Sequence, residues 1–129
     1  MNAKISKLFI LIVFLQGLHS IEEYIGKLWE SLPPAAFLCG LVSNDLETGF
    51  LIINIGLFVV GVLLWVLVVR RSKPYAKYIV SVWIIIELVN GFGHPIWSLM
   101  RQSYTPGVIT APFLLITALL LIKQLRNSI

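Results

Sequence analysis

The sequence predicts an all-α fold, a four-helix transmembrane bundle with both termini on the cytoplasmic side. Three observations predict it. The 129-residue chain is 58% hydrophobic and only 12% charged. Soluble domains are about half apolar and about a quarter charged, so too few charges remain here to clothe a water-facing surface. Four apolar stretches, at about 8–29, 50–69, 78–100 and 105–122, each approach the roughly 20 residues that carry a helix across hydrocarbon. The basic residues punctuate those stretches on alternate sides. Residues 1–129 therefore read as one integral membrane domain with no separate soluble part.

The first stretch follows Lys4 and Lys7 and is broken by Gln16 and by His19, Glu22 and Glu23. Lys4 and Lys7 ahead of Leu8–Leu15 also resemble the start of a cleavable signal peptide, but no Ala-x-Ala-like site follows, so the stretch is expected to stay as a span. A long connection, Ser31 to Gly49, opens with Pro33-Pro34, carries the apolar piece Ala35–Val42 and ends in Ser43-Asn44-Asp45. Its middle can dip into the interface and lid the bundle, although an ordinary interfacial loop fits as well. Asn44 or Asp45 suits the cap of the second helix. The second stretch is the purest. Arg70, Arg71, Lys73 and Lys77 separate it from the third, which contains Glu87, Asn90 and His94. The fourth precedes Lys123 and Arg126. Eight of the ten basic residues thus gather on one side, against Lys27 and Arg101 on the other. The positive-inside rule then places both termini in the cytoplasm, in a bacterial cytoplasmic membrane.

The net charge of +4 does not indicate nucleic acid, because the cations alternate with spans and form no single basic face. Cys39 is the lone cysteine, which excludes an internal disulfide and leaves no cysteine-based metal signature.

The ionisable groups inside the spans carry the functional signal. Each costs roughly 2.5–3.5 kcal/mol at membrane depth, so three glutamates and two histidines must neutralise one another, bind something or line water. At about 100° per residue His19, Glu22 and Glu23 occupy one arc of the first helix, with Gln16 beside it, and Glu87, Asn90 and His94 share one face of the third. Counting rise from Leu8 and from Tyr78 puts His19 level with Glu87, and Glu22 level with Asn90, near the midplane. Gly91, Gly93 and Pro95 surround His94. Pro95 denies the Gly91 carbonyl its partner, so the third helix is expected to kink or open there.

His19-Ser20-Ile21-Glu22-Glu23, with Asn90…Gly93-His94 and Tyr104-Thr105-Pro106-Gly107, resembles the HXXEE family of small multi-pass membrane proteins over nearly the whole chain. The resemblance supports the site and implies no reaction.

Two imidazoles and up to three carboxylates form a sufficient ligand set for a divalent transition metal such as Zn, Mn or Fe. His19 and Glu23 would clamp one ion from a single turn, while Glu22, Glu87 and His94 complete it or hold a second. Asn90, Gln16 and Asn54 would support these ligands by hydrogen bonds, and Thr110 and Thr117 can complete the pocket or simply bond their own backbone, as helical threonines usually do. A metal-dependent enzyme acting on a lipid-like or small hydrophobic substrate follows if a coordination position stays open, with Glu22, Glu23 and Glu87 as the candidate catalytic carboxylates. The alternatives are metal-free acid–base chemistry of the sterol-isomerase type, a proton-coupled transporter whose path lies between two subunits of a homodimer, and a purely structural network of paired groups.

Overall fold

The computed structural model describes residues 1–128, and among them every regular element is helical. Six α-helices follow in order: α1 (Ala3–Ile25), α2 (Leu28–Ser31), α3 (Pro33–Val42), α4 (Leu46–Leu64), α5 (Ala76–Arg101) and α6 (Ala111–Asn127). A single π turn, Trp65–Val69, continues α4. Three of these are long and apolar enough to cross a membrane: α1, α4 with its π turn, and α5.

Local chemistry sets the ends. The Asn2 side chain accepts from the Ile5 amide at 2.9 Å and starts α1. The expected first span, about 8–29, is displaced: α1 begins at Ala3 and stops at Ile25, where Gly26 is followed by Lys27 in the left-handed region at φ 51°. The long connection is mostly helix, with Pro33 at the first position of α3, where its missing N–H costs nothing. Asp45 caps α4, accepting from the Thr48 amide at 3.3 Å. α3 lies against the start of α4 with the Cys39 carbonyl pressed onto Gly49, an approach that a side chain would forbid. The expected fourth span, 105–122, also shifts. Residues 105–110 form a turn, and α6 is a 17-residue helix that carries Lys123 and Arg126 in its second half.

α5 runs unbroken through Pro95 to Arg101, so the expected opening near His94 does not take the form of a helix break. Pro95 forfeits one bond, and the turns on either side hold the helix.

The main core joins Ile5, Phe9, Ile12 and Val13 of α1 to Val80, Trp83 and Ile84 of α5 and to Leu114, Ala118 and Leu121 of α6. α6 packs against both α1 and α5, while α1 lies against α4 and α5 meets the π turn. α1 and α5 therefore face each other across the centre. Phe9 and Trp83 meet edge-on there, with ring centroids 5.6 Å apart. The start of α1, the π turn, the start of α5 and the end of α6 lie at one end, which collects the same eight basic residues. At the other end a second core of Leu28, Trp29, Cys39 and Phe50 fastens α2 and α3 to α4.

Candidate metal centre

Because α1 and α5 face each other, their polar positions meet in two layers. The layer nearer the basic end joins Gln16 of α1 to Glu87 and Asn90 of α5. Asn90 Nδ2 donates to Glu87 Oε2 at 3.2 Å. With its amide turned to suit the carboxylate, Gln16 nitrogen lies 2.8 and 3.0 Å from the two Glu87 oxygens. Glu87 is fully buried.

The second layer holds His19 and Glu23, one turn apart on α1, and His94 of α5. His19 Nε2 and His94 Nε2 are 3.2 Å apart. Glu23 reaches both rings, with Oε1 3.6 Å from His19 Nε2 and Oε2 3.4 Å from His94 Nε2. All three residues are buried. Among the described residues, this is the group of ligand atoms close enough to hold one ion.

Glu22 and Glu87, expected in the same ligand set, stand outside that group. Glu87 lies seven residues before His94, about 10 Å along the helix axis at 1.5 Å per residue. The expected levels are shifted too, since Glu87 faces Gln16, not His19. The count assumes that Leu8 and Tyr78 lie level, whereas the packing of α1 and α5 sets the register that brings Gln16 to Glu87.

Glu22 turns toward the 104–110 segment instead. Its Oε2 accepts from the Gly107 amide at 2.9 Å, the Ile109 amide at 3.2 Å and the Tyr104 hydroxyl at 2.9 Å. Its Oε1 accepts from the Thr110 amide at 2.9 Å and the Thr110 hydroxyl at 2.6 Å. Thr110 immediately precedes α6, so Glu22 supplies from α1 the anion that a helix N-terminus favours. Partial burial and the neighbouring carboxylate push the Tyr104 hydroxyl up to about 12, so it stays a donor. Replacing Glu22 with glutamine puts an NH₂ group among these donors. We expect Glu22→Gln to cost about 2 kcal/mol, the scale of charge-assisted hydrogen bonds. Thermal unfolding in detergent measures it, and an unchanged melting temperature would refute this role.

The Thr110 hydroxyl links Glu22 to the second layer. It has one proton, which it gives to the Glu22 carboxylate, so it accepts at 2.7 Å from His19 Nδ1. His19 then carries its proton on Nδ1 and turns a bare Nε2 lone pair toward His94 and Glu23. Metal-binding histidines are held by the same kind of partner on the distal nitrogen. His94 Nδ1 is buried without a hydrogen-bond partner. It lies against Gly107, where an added Cβ would stand 2.6 Å from His94 Nδ1 and 2.8 Å from His19 Cε1.

Asn54 does not support this site. It pairs with Ser20 Oγ at 2.8 Å and with the Phe50 carbonyl at 3.0 Å, on the α4 side of α1. Thr110 does reach the site, through His19, and Gly107 is the residue that ligand chemistry alone misses. The Tyr104-Thr105-Pro106-Gly107 run was the available signal, since it marks a tight turn and says nothing of what the turn touches.

The fold and the site define a helical protein with candidate membrane spans and a buried His/Glu cluster. The chain belongs to the family of proteins of unknown function with an HXXEE motif, which it matches over residues 9–122. His19, Glu22 and Glu23 supply the motif's named positions. No curated protein and no solved structure matches the chain.

Proposed function

We propose that this is an integral membrane metalloprotein in which His19, Glu23 and His94 hold a divalent transition metal. One observation carries the reading. The two imidazole Nε2 atoms stand 3.2 Å apart, Glu23 sets one carboxylate oxygen 3.6 Å from His19 Nε2 and the other 3.4 Å from His94 Nε2, and one ligand atom from each residue lies within 4.8 Å of the other two. Ligands at about 2.0–2.1 Å from a tetrahedral ion are separated by about 3.3 Å. The chemistry of the set agrees: the His19 tautomer presents a lone pair, and the Glu23 carboxylate offsets part of the ion's charge. Three protein ligands are the number that catalytic zinc sites use, so an enzymatic role on a lipid-like molecule belongs to the same reading. In that role the metal supplies a Lewis acid, and the chain positions the imidazoles through Thr110 and Gly107.

The membrane arrangement belongs to the proposal as well. In this reading the 105–110 turn and α6 together serve as a fourth crossing, and the positive-inside rule, applied to the eight basic residues at one end, supports cytoplasmic termini.

Elemental analysis of protein purified without chelators tests the function. About one equivalent of zinc, manganese or iron per chain is expected, with a lower melting temperature after chelation and its recovery on readdition. Protein that retains no metal and whose melting temperature ignores all three added ions would overturn the proposal.

A further inference from the structure

The metal reading leaves open what reaches the site and from where. A cleft of about 220 Å³ runs along α5, lined by Leu32, Val89, Asn90, Gly93, His94 and Trp97. Val89, Gly93 and Trp97 are four residues apart and form one stripe of the helix, with Asn90 and His94 on the adjoining stripe. The cleft therefore touches both polar layers at once: Asn90 from the Glu87 layer and His94 from the metal triangle. Leu32, at the junction of α2 and α3, closes the opposite wall. Val89 and Gly93 are exposed on the outer surface of the helix, so the mouth faces sideways. In a membrane that direction is hydrocarbon.

Gly93 gives the cleft its depth. A Cβ built there meets nothing within 4 Å, whereas one at Gly91 strikes Leu115 at 2.7 Å. Gly91 is thus required for packing against α6, and Gly93 keeps open space beside His94.

Resting on the metal reading, we propose that this cleft admits one end of a slim amphiphile from the bilayer: an uncharged oxygen- or nitrogen-bearing head against Asn90 and His94, and an unbranched apolar chain along Leu32, Val89 and Trp97. The volume argues for a slender ligand, since sites for drug-sized molecules run about 300–1,000 Å³. The lining argues for the split character, with two polar residues on the wall toward the triangle and apolar residues toward the mouth.

Cobalt(II) in place of the native ion makes the site visible, because its d–d absorption reports its ligands. The probes are hexanohydroxamic acid and acetohydroxamic acid, which share one head and differ in chain length. Both should shift the cobalt bands, with half-saturation for the longer probe about tenfold lower. Gly93→Leu, whose side chain enters the cleft without meeting backbone, should leave the cobalt spectrum intact and raise half-saturation for the longer probe about tenfold. Val89→Trp obstructs the mouth from the rim and serves if Gly93→Leu does not fold. Equal response to the two probes, bands that ignore both, or obstructed variants that titrate like the parent would overturn the cleft assignment and leave the metal centre standing. A protein that takes up cobalt without any tetrahedral d–d spectrum would overturn the metal centre and the cleft together.

Discussion

On the metal reading, replacing His94 with alanine is expected to abolish metal binding. Structural zinc sites contribute about 10–16 kcal/mol through four ligands, so one donor accounts for about 3 kcal/mol, or more than about a hundredfold in affinity. The loss here should exceed that figure, because His94 is the only member of the triangle that α5 provides and it alone ties α5 to the ion. Competition with a chromophoric chelator measures the affinity. Glu87→Gln is the internal control. Glu87 bonds within the other layer, to Gln16 and Asn90, so this variant should keep the metal with little change. If His94→Ala retains a full equivalent, or if Glu87→Gln loses it as completely, the ion is not bound by the triangle.

A side chain at Gly107 should do nearly as much damage without removing any ligand. Gly107 has φ 99°, a region that favours glycine. A Cβ there would stand 2.5 Å from His94 Cε1, 2.6 Å from His94 Nδ1 and 2.8 Å from His19 Cε1. Neither imidazole can retreat easily, since each ring has the other 4.6 Å away, centroid to centroid, in an edge-on contact. Backbone strain of about 1–2 kcal/mol and overpacking of about 1–3 kcal/mol combine to about 3 kcal/mol for Gly107→Ala. The melting temperature should fall, and metal affinity should fall with it because the triangle is deformed. A Gly107→Ala protein that melts and binds like the parent would show that the turn does not brace the rings.

The residues differ in how far sequence alone exposes them. The helical class and three of the four apolar spans were legible because composition and run length report them directly. The stripes on α1 and α5 were legible because 3.6-residue periodicity places His19 with Glu23, and Asn90 with His94, whatever else the chain does. Register between the helices was not. It depends on how side chains such as Phe9 and Trp83 interlock between α1 and α5, which a count from the ends of the apolar runs does not contain. The same uncertainty made Glu22 look equivalent to Glu23. The two point about 100° apart around the helix, and only the position of the 104–110 turn decides which one meets the imidazoles. Thr110 was visible only as one of two threonines that could complete the pocket. A threonine near the start of an apolar stretch usually bonds its own backbone, as Thr117 does to the Phe113 carbonyl at 2.8 Å.

The contacts of Glu22 span 82 to 88 residues of sequence. If α1 enters a bilayer during synthesis, it does so with a carboxylate whose partners lie that far along the chain. Its hydrogen-bond donors arrive only with the 104–110 segment, and the imidazole pair gains its glycine brace at the same moment. In a membrane that unfinished acid would need water or a protein partner until the 104–110 segment docks, and a chain interrupted before that point would lack a formed centre.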